Sequence, residues 1–431
     1  MASMETTTTL NGLYKEVYAD KIKDLIPESD ILLKMDNFVS KDQREGNKYH
    51  QPVLLALPTG ATWGLGVVTL NTAIASTMGD AQLTGSAITH RDLLAYDAAA
   101  KAAKGGKQAF AEATGLVVKN LVKATSKFLE LDLLFGGPTG LGVSVTTSSS
   151  NTDTTHTVLT LRLDSWAPAI FSGMEGAQIV FYREGTTTLV SSGADSIFTI
   201  VSQNVVPASA TVGGTLTVSG TTTGISALDT AAASYKLAIY WNSSYGNQMS
   251  GLQAILTNSG SLFNVDAGAY SLWASNTFDC GSTQLTFGKL QNAVALAVNR
   301  GLDSKVKVLV SPATFANLVD EQAGARRFDS SYESGKAKNG VKALEFFSAN
   351  GLMEIVPHIF MHQGKAMILP TEEVIRMGPV DGVTSTLPGM PGEFFVQSQT
   401  YAAFELRNYA NEAIFIEAPA HAVYVKNITN A

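Results

Sequence analysis

The sequence contains very little cysteine and little charge. Cys280 is the only cysteine among 431 residues, so no disulfide can form within the chain, which suits a reducing compartment such as the cytoplasm. Charged residues make up 16% of the chain, well below the roughly 25% that is usual in globular domains. Such a composition fits a protein that buries much of its exterior against copies of itself. It also fits an ordinary threonine-rich β protein.

A basic excess and long apolar runs are also missing. The net charge is −7, from 30 basic and 37 acidic residues, which argues against a protein that reads nucleic-acid sequence. No stretch approaches the ~18 apolar residues of a membrane span, and the N-terminus, MASMETTTTL, does not resemble a secretion signal. We therefore expect no membrane partner, and we expect any contact with DNA to be incidental.

The composition is otherwise that of a globular chain, since 45% apolar residues are enough for a sizeable core. Apolar residues at helical spacing predict an N-terminal helix over residues 10–26, which Pro27 ends. Its apolar face includes Leu13, Tyr14 and Val17. This helix is either an arm that contacts a neighbouring molecule or an ordinary surface helix.

Glycines scattered among Thr, Ala and Asn follow in residues 46–88, which predicts a long hairpin or loop. A loop of that length in a compact domain is typical of a functional arm. We expect Trp63 near its tip. An apolar tip is unfavourable in water, so a partner surface is implied.

Two helices are predicted next. Thr89 can cap the first, which runs to Lys104 before Gly105-Gly106. The second spans about Lys107 to Phe135, a rod of roughly 40 Å, and Gly136-Gly137-Pro138 ends it.

A distinct block covers residues 143–248. Lys and Arg nearly vanish from it, and short alternating runs predict strands at 158–163, 178–182, 197–201, 215–220 and 236–241. Such a pattern favours a small antiparallel barrel or sandwich inserted into a host domain.

From Gly251 the pattern is mixed α/β. Thr286 can cap a helix that ends at Gly301, and a second helix is expected at 312–322. Strands are expected at 306–310, 352–356, 366–369 and 373–377, and further β structure at 402–410 and 413–428.

Catalytic chemistry is poorly represented. There is no G-x-S-x-G elbow and no phosphate-binding G-x-x-x-x-G-K-[ST] loop. The carboxylates Asp320, Glu321, Asp329, Glu372 and Glu373 are expected to be solvated, and we assign no catalytic residue and no cofactor.

His358 and His362 are the best metal candidates. Two histidines four apart share a face on a helix, but the flanking residues look extended, and on a strand they would lie about 13 Å apart. We therefore assign no metal site. Arg326-Arg327 is read as a surface loop or, in a shell subunit, as a charged contact between copies.

The order of these elements and several sequence segments resemble those of one known protein family. YSLWASNTF (270–278) precedes LTFGKLQNAVALAVNRG (285–301) and KVKVLVSPATFANL (305–318); FDSSYESGKAKNGVKALEFFSANGLMEIVPH (328–358) and ELRNYANEAIFIEAPA (405–420) follow. The chain resembles the major capsid proteins of tailed phages, whose fold is shared with encapsulin shells and herpesvirus capsid floors.

The resemblance implies an α+β phage major-capsid fold with an inserted all-β domain. Its parts would be an N-terminal arm at 1–45, an extended E-loop at 46–88, a short helix and the spine helix of the peripheral domain at 89–142, the inserted domain at 143–248, the axial domain at 249–360, and closing strands at 361–431. The Lys–Asn isopeptide bond of some relatives cannot be matched to residues of this chain.

The same resemblance implies a structural protein of the virion and not an enzyme. Hexamers and pentamers would tile an icosahedral shell around double-stranded DNA, after assembly in the host cytoplasm. A scaffolding protein and a portal would be partners, and a decoration protein is allowed. The residues expected at subunit contacts are Leu13, Tyr14, Val17, Trp63, Arg326 and Arg327.

Three alternatives stay open. An encapsulin-like nanocompartment would keep the fold and hold protein cargo. A tail or decoration protein would use the β-rich block, although the long helix argues against it. A hydrolase would need a compact cluster of titratable groups.

Overall fold

The computed structural model describes residues 29–34, 38–39, 44–45, 48–96, 107–151, 153–205, 212–326, 344–348, 351–379, 381–385, 396–397 and 401–430. The predicted N-terminal helix over 10–26 lies outside them. The strands are β1 Phe38–Val39, β2 Arg44–Glu45, β3 Lys48–Ala56, β4 Thr77–Leu83, β5 Ser86–Ala95, β6 Ser144–Asn151, β7 His156–Arg162, β8 Gln178–Arg183, β9 Phe198–Val205, β10 Val212–Ser219, β11 Leu237–Trp241, β12 Ser261–Leu262, β13 Val265–Asp266, β14 Asn276–Thr283, β15 Val306–Val310, β16 Leu344–Ser348, β17 Gly351–Pro357, β18 Ala366–Pro370, β19 Val374–Met377, β20 Val396–Gln397, β21 Ala403–Ile416 and β22 Val423–Ile428.

Across the part of the chain that the structure describes, the helices are fewer than the strands and one of them dominates. The helices with described bounds are α1 Lys107–Phe135, α2 Pro168–Phe171, α3 Thr222–Ser234, α4 Leu252–Leu256, α5 Phe287–Val298 and α6 Pro312–Arg326, with short 3₁₀ turns at Leu163–Ser165, Gly193–Ser196, Ser271–Trp273 and Pro419–His421. The fold is therefore mixed α/β. Within the described residues, no helix is both long and apolar enough to cross a membrane.

The long helix α1 is the centre of the fold, and its prediction is confirmed. It ends as expected at Gly136-Gly137, where Gly137 has φ +92°, a conformation that favours glycine after the last helical turn. Every residue from Leu129 to Phe135 is buried. A helix segment that is buried on all sides belongs to the interior of a protein, not to its surface.

A mixed sheet packs against α1. Its order is β1-β19-β21-β20, and β5 pairs with β21 in an antiparallel register from Ala95↔Ala403 to Ser86↔Glu412. The predicted helix from Thr89 to Lys104 is therefore wrong at its start, because residues 86–95 form a strand; residues 97–104 lie outside the described part. Ten long-range pairs with β21 override the local helical pattern.

The block at 143–248 forms a six-stranded antiparallel sheet of order β11-β8-β9-β10-β7-β6. Its ends meet, because Val143 bridges Ala238 and the Leu141 N–H donates to the Ile239 carbonyl over 2.8 Å. The five predicted strands are present within a few residues of their expected bounds. The sequence left a barrel and a sandwich open, and the contact between the two ends of the sheet favours the barrel. The prediction that the block is all-β is wrong, because α3 lies within it.

The helix α3 has local causes that the threonine-rich composition hid. The Thr221 side chain caps it by accepting from the Gly224 N–H. Ile225, Leu228 and Ala232 bury one face at helical spacing. The main core of the block is continuous with the apolar residues of α1. A smaller buried cluster lies within the block itself and consists of Val143, Val180, Ala238 and Tyr240.

The chain from residue 251 onward forms the second large sheet. Its order is β14-β22-β18-β15-β17-β16, with α5 packed against β14 and β22. The predicted cap is confirmed, since the Thr286 side chain accepts from the Lys289 N–H at the start of α5. The strands and helices predicted between 306 and 377 are present within a few residues of their expected bounds.

The packing around α1 predicts a large cost for a cavity there. Leu131→Ala should lower the free energy of unfolding by about 2–5 kcal/mol, because Leu131 is fully buried. Urea denaturation of the unassembled subunit measures this. Leu296→Ala on α5 is the control, and it should cost much less because that side chain is 37% exposed. Equal losses in the two variants would contradict a central role of α1.

Candidate assembly surfaces

The hairpin β3–β4 has a well-anchored root. The strands pair in antiparallel fashion from Tyr49↔Leu83 to Ala56↔Thr77. Tyr49, Leu83 and Phe415 belong to one buried cluster, and the Gln82 N–H donates to the Phe263 carbonyl over 2.9 Å. The root of the hairpin is therefore part of the folded body.

Beyond the root, residues 57–76 form an exposed loop without strand pairing. Few hydrogen bonds cross it: the Thr59 N–H donates to the Ile74 carbonyl over 3.3 Å, and Asn71 bonds to the Thr62 hydroxyl and the Ala61 carbonyl, each over 2.8 Å. The loop is thus tied at its neck, and most of its backbone polar groups face solvent.

The exposed loop and its flanks concentrate apolar surface. Among the described residues, sixteen large apolar side chains are exposed, and nine of them lie between Leu54 and Met78. Trp63 is 86% exposed, as expected for a residue near the tip. Such a concentration of exposed apolar side chains in one segment is characteristic of an interaction surface.

The structure does not bring the other predicted contact residues together with Trp63. Leu13, Tyr14, Val17 and Arg327 lie outside the described residues. Arg326 is the last residue of α6, and its side chain is outside them as well. Their role in subunit contacts stays a prediction.

A buried carboxylate on α1 holds the N-terminal turn at residues 31–34. Glu130 has no exposed surface, and it accepts from the Leu32 N–H over 2.8 Å, the Leu33 N–H over 3.1 Å and His358 Nε2 over 2.9 Å. Hydrogen bonds to a charged acceptor in the interior are among the strong ones. This turn is therefore fixed to the centre of the fold.

Arg376 on β19 holds the same turn from the other side. Its Nη2 donates to the Leu33 carbonyl over 2.8 Å, and its Nη1 contacts both carboxylate oxygens of the buried Glu412 over 3.1 and 2.9 Å. Asp381 also accepts from Nη2 over 3.0 Å. Leu33 is thus held at both its N–H and its carbonyl.

The two histidines set aside as metal ligands have other partners. They lie in the turn that follows β17, so the expectation that they lie on a strand is wrong. His358 contacts Glu130, and His362 Nε2 contacts the Leu141 carbonyl over 3.1 Å. In the part of the chain that the structure describes, no three potential ligands are grouped as a metal site would need.

A second buried carboxylate of α1 reaches the hairpin. Asp132 accepts from Gln248 Nε2 over 2.6 Å and from the Ser86 hydroxyl over 3.3 Å. Ser86 begins β5, directly after the hairpin root, and Gln248 lies at the end of the barrel block. Burial raises the pKa of Asp132 to about 7, and the two hydrogen bonds oppose that rise.

Among the carboxylates considered for acid–base chemistry, Asp320, Glu321 and Glu372 are exposed, as expected. Glu373 contacts His421 Nδ1 over 2.8 Å, and Glu321 accepts from the Phe287 N–H over 3.1 Å. Asp329 lies outside the described residues. The sequence had not singled out Glu130, Asp132 or Arg376; the signal was present in LELDLL (129–134), where two carboxylates interrupt an apolar run.

Comparison with known proteins supports one fold. No family model and no curated protein matches the sequence. The structure is similar to the cyanophage A-1(L) capsid asymmetric unit, with a TM-score of 0.60 and 11% identity over 99% of this chain and 100% of that one. The chain has the tailed-phage capsid protein fold.

Two further solved structures give lower scores. The capsid of the native GTA particle has a TM-score of 0.48 and 7% identity, covering 99% of this chain and 100% of that one. The structure from Mycobacterium phage Bobi has 0.45 and 11%, covering 98% and 99%. The capsid fold stated for this chain rests on the cyanophage structure alone.

The capsid fold is the one that the sequence resemblance implied, and its mixed α/β architecture is confirmed. The boundaries drawn for the arm, the E-loop, the inserted domain and the axial domain stay predictions. The exposed loop lies within the range expected for the E-loop, and the buried carboxylates of α1 tie both this hairpin and the N-terminal turn to the body.

Removal of the Glu130 carboxylate should release the N-terminal turn. Glu130→Ala leaves two backbone N–H groups and His358 without their acceptor, so we expect a loss of about 3–5 kcal/mol in the free energy of unfolding. Trypsin should also cleave faster after Lys34. Glu175→Ala, at an exposed position, is the control and should change stability by less than about 0.5 kcal/mol. Unchanged stability and unchanged cleavage in Glu130→Ala would show that the turn is held by something else.

Asp132 should make stability depend on pH. Its pKa is raised in the folded state, so its contribution is present below pH ~4 and is lost as pH rises towards 7. Between these values the free energy of unfolding should fall relative to that of Asp132→Asn, by up to about 4 kcal/mol. Urea titrations of both proteins at pH 4, 5, 6, 7 and 8 measure this difference. Parallel curves would mean that Asp132 titrates normally.

Proposed function

We propose that this protein is the major capsid protein of a tailed phage. In this proposal, copies of the chain assemble into hexamers and pentamers, which form an icosahedral shell around the double-stranded DNA genome. The capsid fold supports a structural role in the virion. The finer statements about the assembly belong to the proposal.

The observation that carries the proposal is the exposed loop. Its root is buried in the body, whereas its apolar side chains project into solvent: Leu65, Val67 and Leu70 are 103%, 108% and 79% exposed. The exposed apolar side chains do not stabilise a monomer, because only buried apolar surface contributes to stability. They can stabilise a shell, since the loop of each copy can bury them against its neighbour.

The proposal also includes partners and location. A scaffolding protein and a portal would take part in assembly in the host cytoplasm, and a decoration protein could bind the finished capsid. The DNA would be enclosed without sequence-specific contacts, consistent with 30 basic against 37 acidic residues.

Expression of the chain, alone and with the scaffolding protein encoded beside it, tests the proposal. We expect closed shells or rings of five and six copies, seen by size-exclusion chromatography and negative-stain electron microscopy. DNA in shells purified from infected cells would support the phage capsid, and enzyme cargo would point to a nanocompartment. A monomer under both conditions and at every salt concentration would overturn the proposal.

A polar loop should block assembly without unfolding the subunit. The triple variant Leu65→Ser, Val67→Ser, Leu70→Ser removes apolar surface that the folded subunit does not bury. We expect unchanged circular dichroism and melting temperature, and a critical concentration for assembly raised at least tenfold. Val201→Ser, at a 41% exposed position on the barrel strand β9, is the control and should assemble normally. Normal assembly of the triple variant would remove the loop from the contact.

A further inference from the structure

Four lysines line one cleft beside α1. Lys119, Lys123 and Lys127 come from the helix, four residues apart, and Lys34 comes from the N-terminal turn that forms the opposite wall. The cleft encloses a cavity of about 580 Å³. Among the described residues that line it, Asp30 is the one carboxylate, so the cleft is basic although the whole chain carries a net charge of −7.

The cleft deepens along the row of lysines. Lys119 is exposed, Lys123 is half-buried and Lys127 is 4% exposed. The opposite wall is fixed, because the buried Glu130 accepts two backbone hydrogen bonds from the N-terminal turn. The cavity is therefore part of the folded subunit and does not have to form when a ligand arrives.

A row of like charges is unfavourable without an anion. Positive side chains at i and i+4 on a helix repel each other, and burial penalises the charge of Lys127. In the described part of the chain, Lys127 donates to a single acceptor, the Ser172 carbonyl over 3.0 Å, and its Nζ lies 5.7 Å from the centre of the Phe360 ring. Because an ammonium group can donate three hydrogen bonds, two N–H groups of this buried lysine remain for a ligand.

The choice of lysine indicates the chemistry of the ligand. Arginine presents a planar fork that binds an oriented group at two points, whereas lysine binds phosphate as a point charge. The described lining of the cleft contains four lysines and no arginine. Lysines four residues apart on a helix repeat about every 6 Å, which is close to the spacing of phosphates along a nucleic-acid strand. Phosphate contacts of this kind position a strand without reading its bases.

We propose that this lysine cleft is a binding site for phosphate groups, and that its ligand is the sugar–phosphate backbone of a nucleic acid. The backbone would follow α1 from Lys119 at the mouth of the cleft to Lys127 at its deep end. This inference goes beyond the proposed function, because binding at the cleft does not require assembly. In the proposed shell, the same cleft would turn this face of α1 towards the enclosed DNA.

Binding is measured on the unassembled subunit by the fluorescence anisotropy of a labelled strand of ten thymidine nucleotides. The double variant Lys119→Gln, Lys123→Gln removes two charges of the cleft, and we expect it to weaken binding roughly tenfold. The plot of log K against log salt concentration should also become shallower by about 1.4, since each phosphate contact contributes about 0.7 to its slope. The control is Lys236→Gln, Lys305→Gln, which changes the net charge equally at two exposed positions outside the cleft.

Each result of this experiment has a definite meaning. No binding by the unsubstituted subunit at low salt, or equal losses in the two double variants, would overturn the site. Pyrophosphate that competes as strongly as the strand would retain the phosphate site and overturn the nucleic-acid backbone as its ligand. A peptide of ten glutamates that competes as strongly would overturn phosphate recognition and indicate an acidic protein segment. None of these results depends on shell formation, so a failure of the inference leaves the proposed function standing.

Lys127 gives the binding a second signature, its pH dependence. Burial lowers the pKa of Lys127 to about 8, while Glu175 raises it and Lys123 lowers it to a smaller extent. Asp30 and Lys34 face the same cavity from the N-terminal turn. As pH rises through about 8, Lys127 loses its proton, whereas phosphodiesters keep their charge and an exposed lysine stays protonated up to about pH 10. We therefore expect the strand to bind more weakly at pH 9 than at pH 7.

Two variants of Lys127 test this signature. Lys127→Arg stays charged over the whole range, so its affinity for the strand should be nearly equal at pH 7 and pH 9. If arginine prevents folding at this buried position, Lys127→Met takes its place; it should bind more weakly at pH 7 and lose no further affinity at pH 9. A pH profile that is flat in the unsubstituted protein, or equally steep in the variant, would contradict the placement of the backbone against Lys127.

Discussion

The structure depends on the burial of two carboxylates at the end of α1. Leu129 to Phe135 are enclosed on all sides, and this segment includes Glu130 and Asp132. A buried carboxylate is costly unless it accepts hydrogen bonds. Its position therefore determines what must pack nearby: Glu130 requires the N–H groups of Leu32 and Leu33, and Asp132 requires Ser86 and Gln248.

These requirements explain how the N-terminal turn and the hairpin are both anchored at the end of α1. The N-terminal turn is held at Leu33 by Glu130 and Arg376, and the hairpin root is held next to Asp132 through Ser86. A segment that must reach a neighbour is useful only when its base does not move. The polar contacts at α1 supply this fixed base, and the apolar clusters supply most of the stability.

Local sequence signals predicted much of this fold. The limits of α1, the cap at Thr286 and the strands of the barrel follow from spacing, capping and turn residues. The segment at 86–95 could not be predicted in this way, because its strand depends on pairing with β21, more than 300 residues later in the chain. The helix α3 was hidden by its threonines, although Thr221 and the spacing of Ile225 and Leu228 do indicate it.

The assembly surfaces were predictable to different degrees. The apolar loop around Trp63 could be predicted from glycine spacing and composition, because its exposure does not depend on pairing with a distant part of the sequence. The anchoring of the hairpin root could not, since it depends on Asp132, Phe263 and Phe415, which lie far from the hairpin in the sequence.

A shell contact made through the exposed loop, as in the proposed function, would also explain how one chain forms rings of different size. The exposed loop is crossed by few hydrogen bonds beyond its neck, so the angle between its tip and its root can change at little cost. In the proposed shell, the apolar side chains of the loop would keep the same contacts while the rotation between neighbouring copies changes. A closed shell needs rings of both five and six copies, and a contact made through an extended loop meets this requirement better than one between two rigid faces.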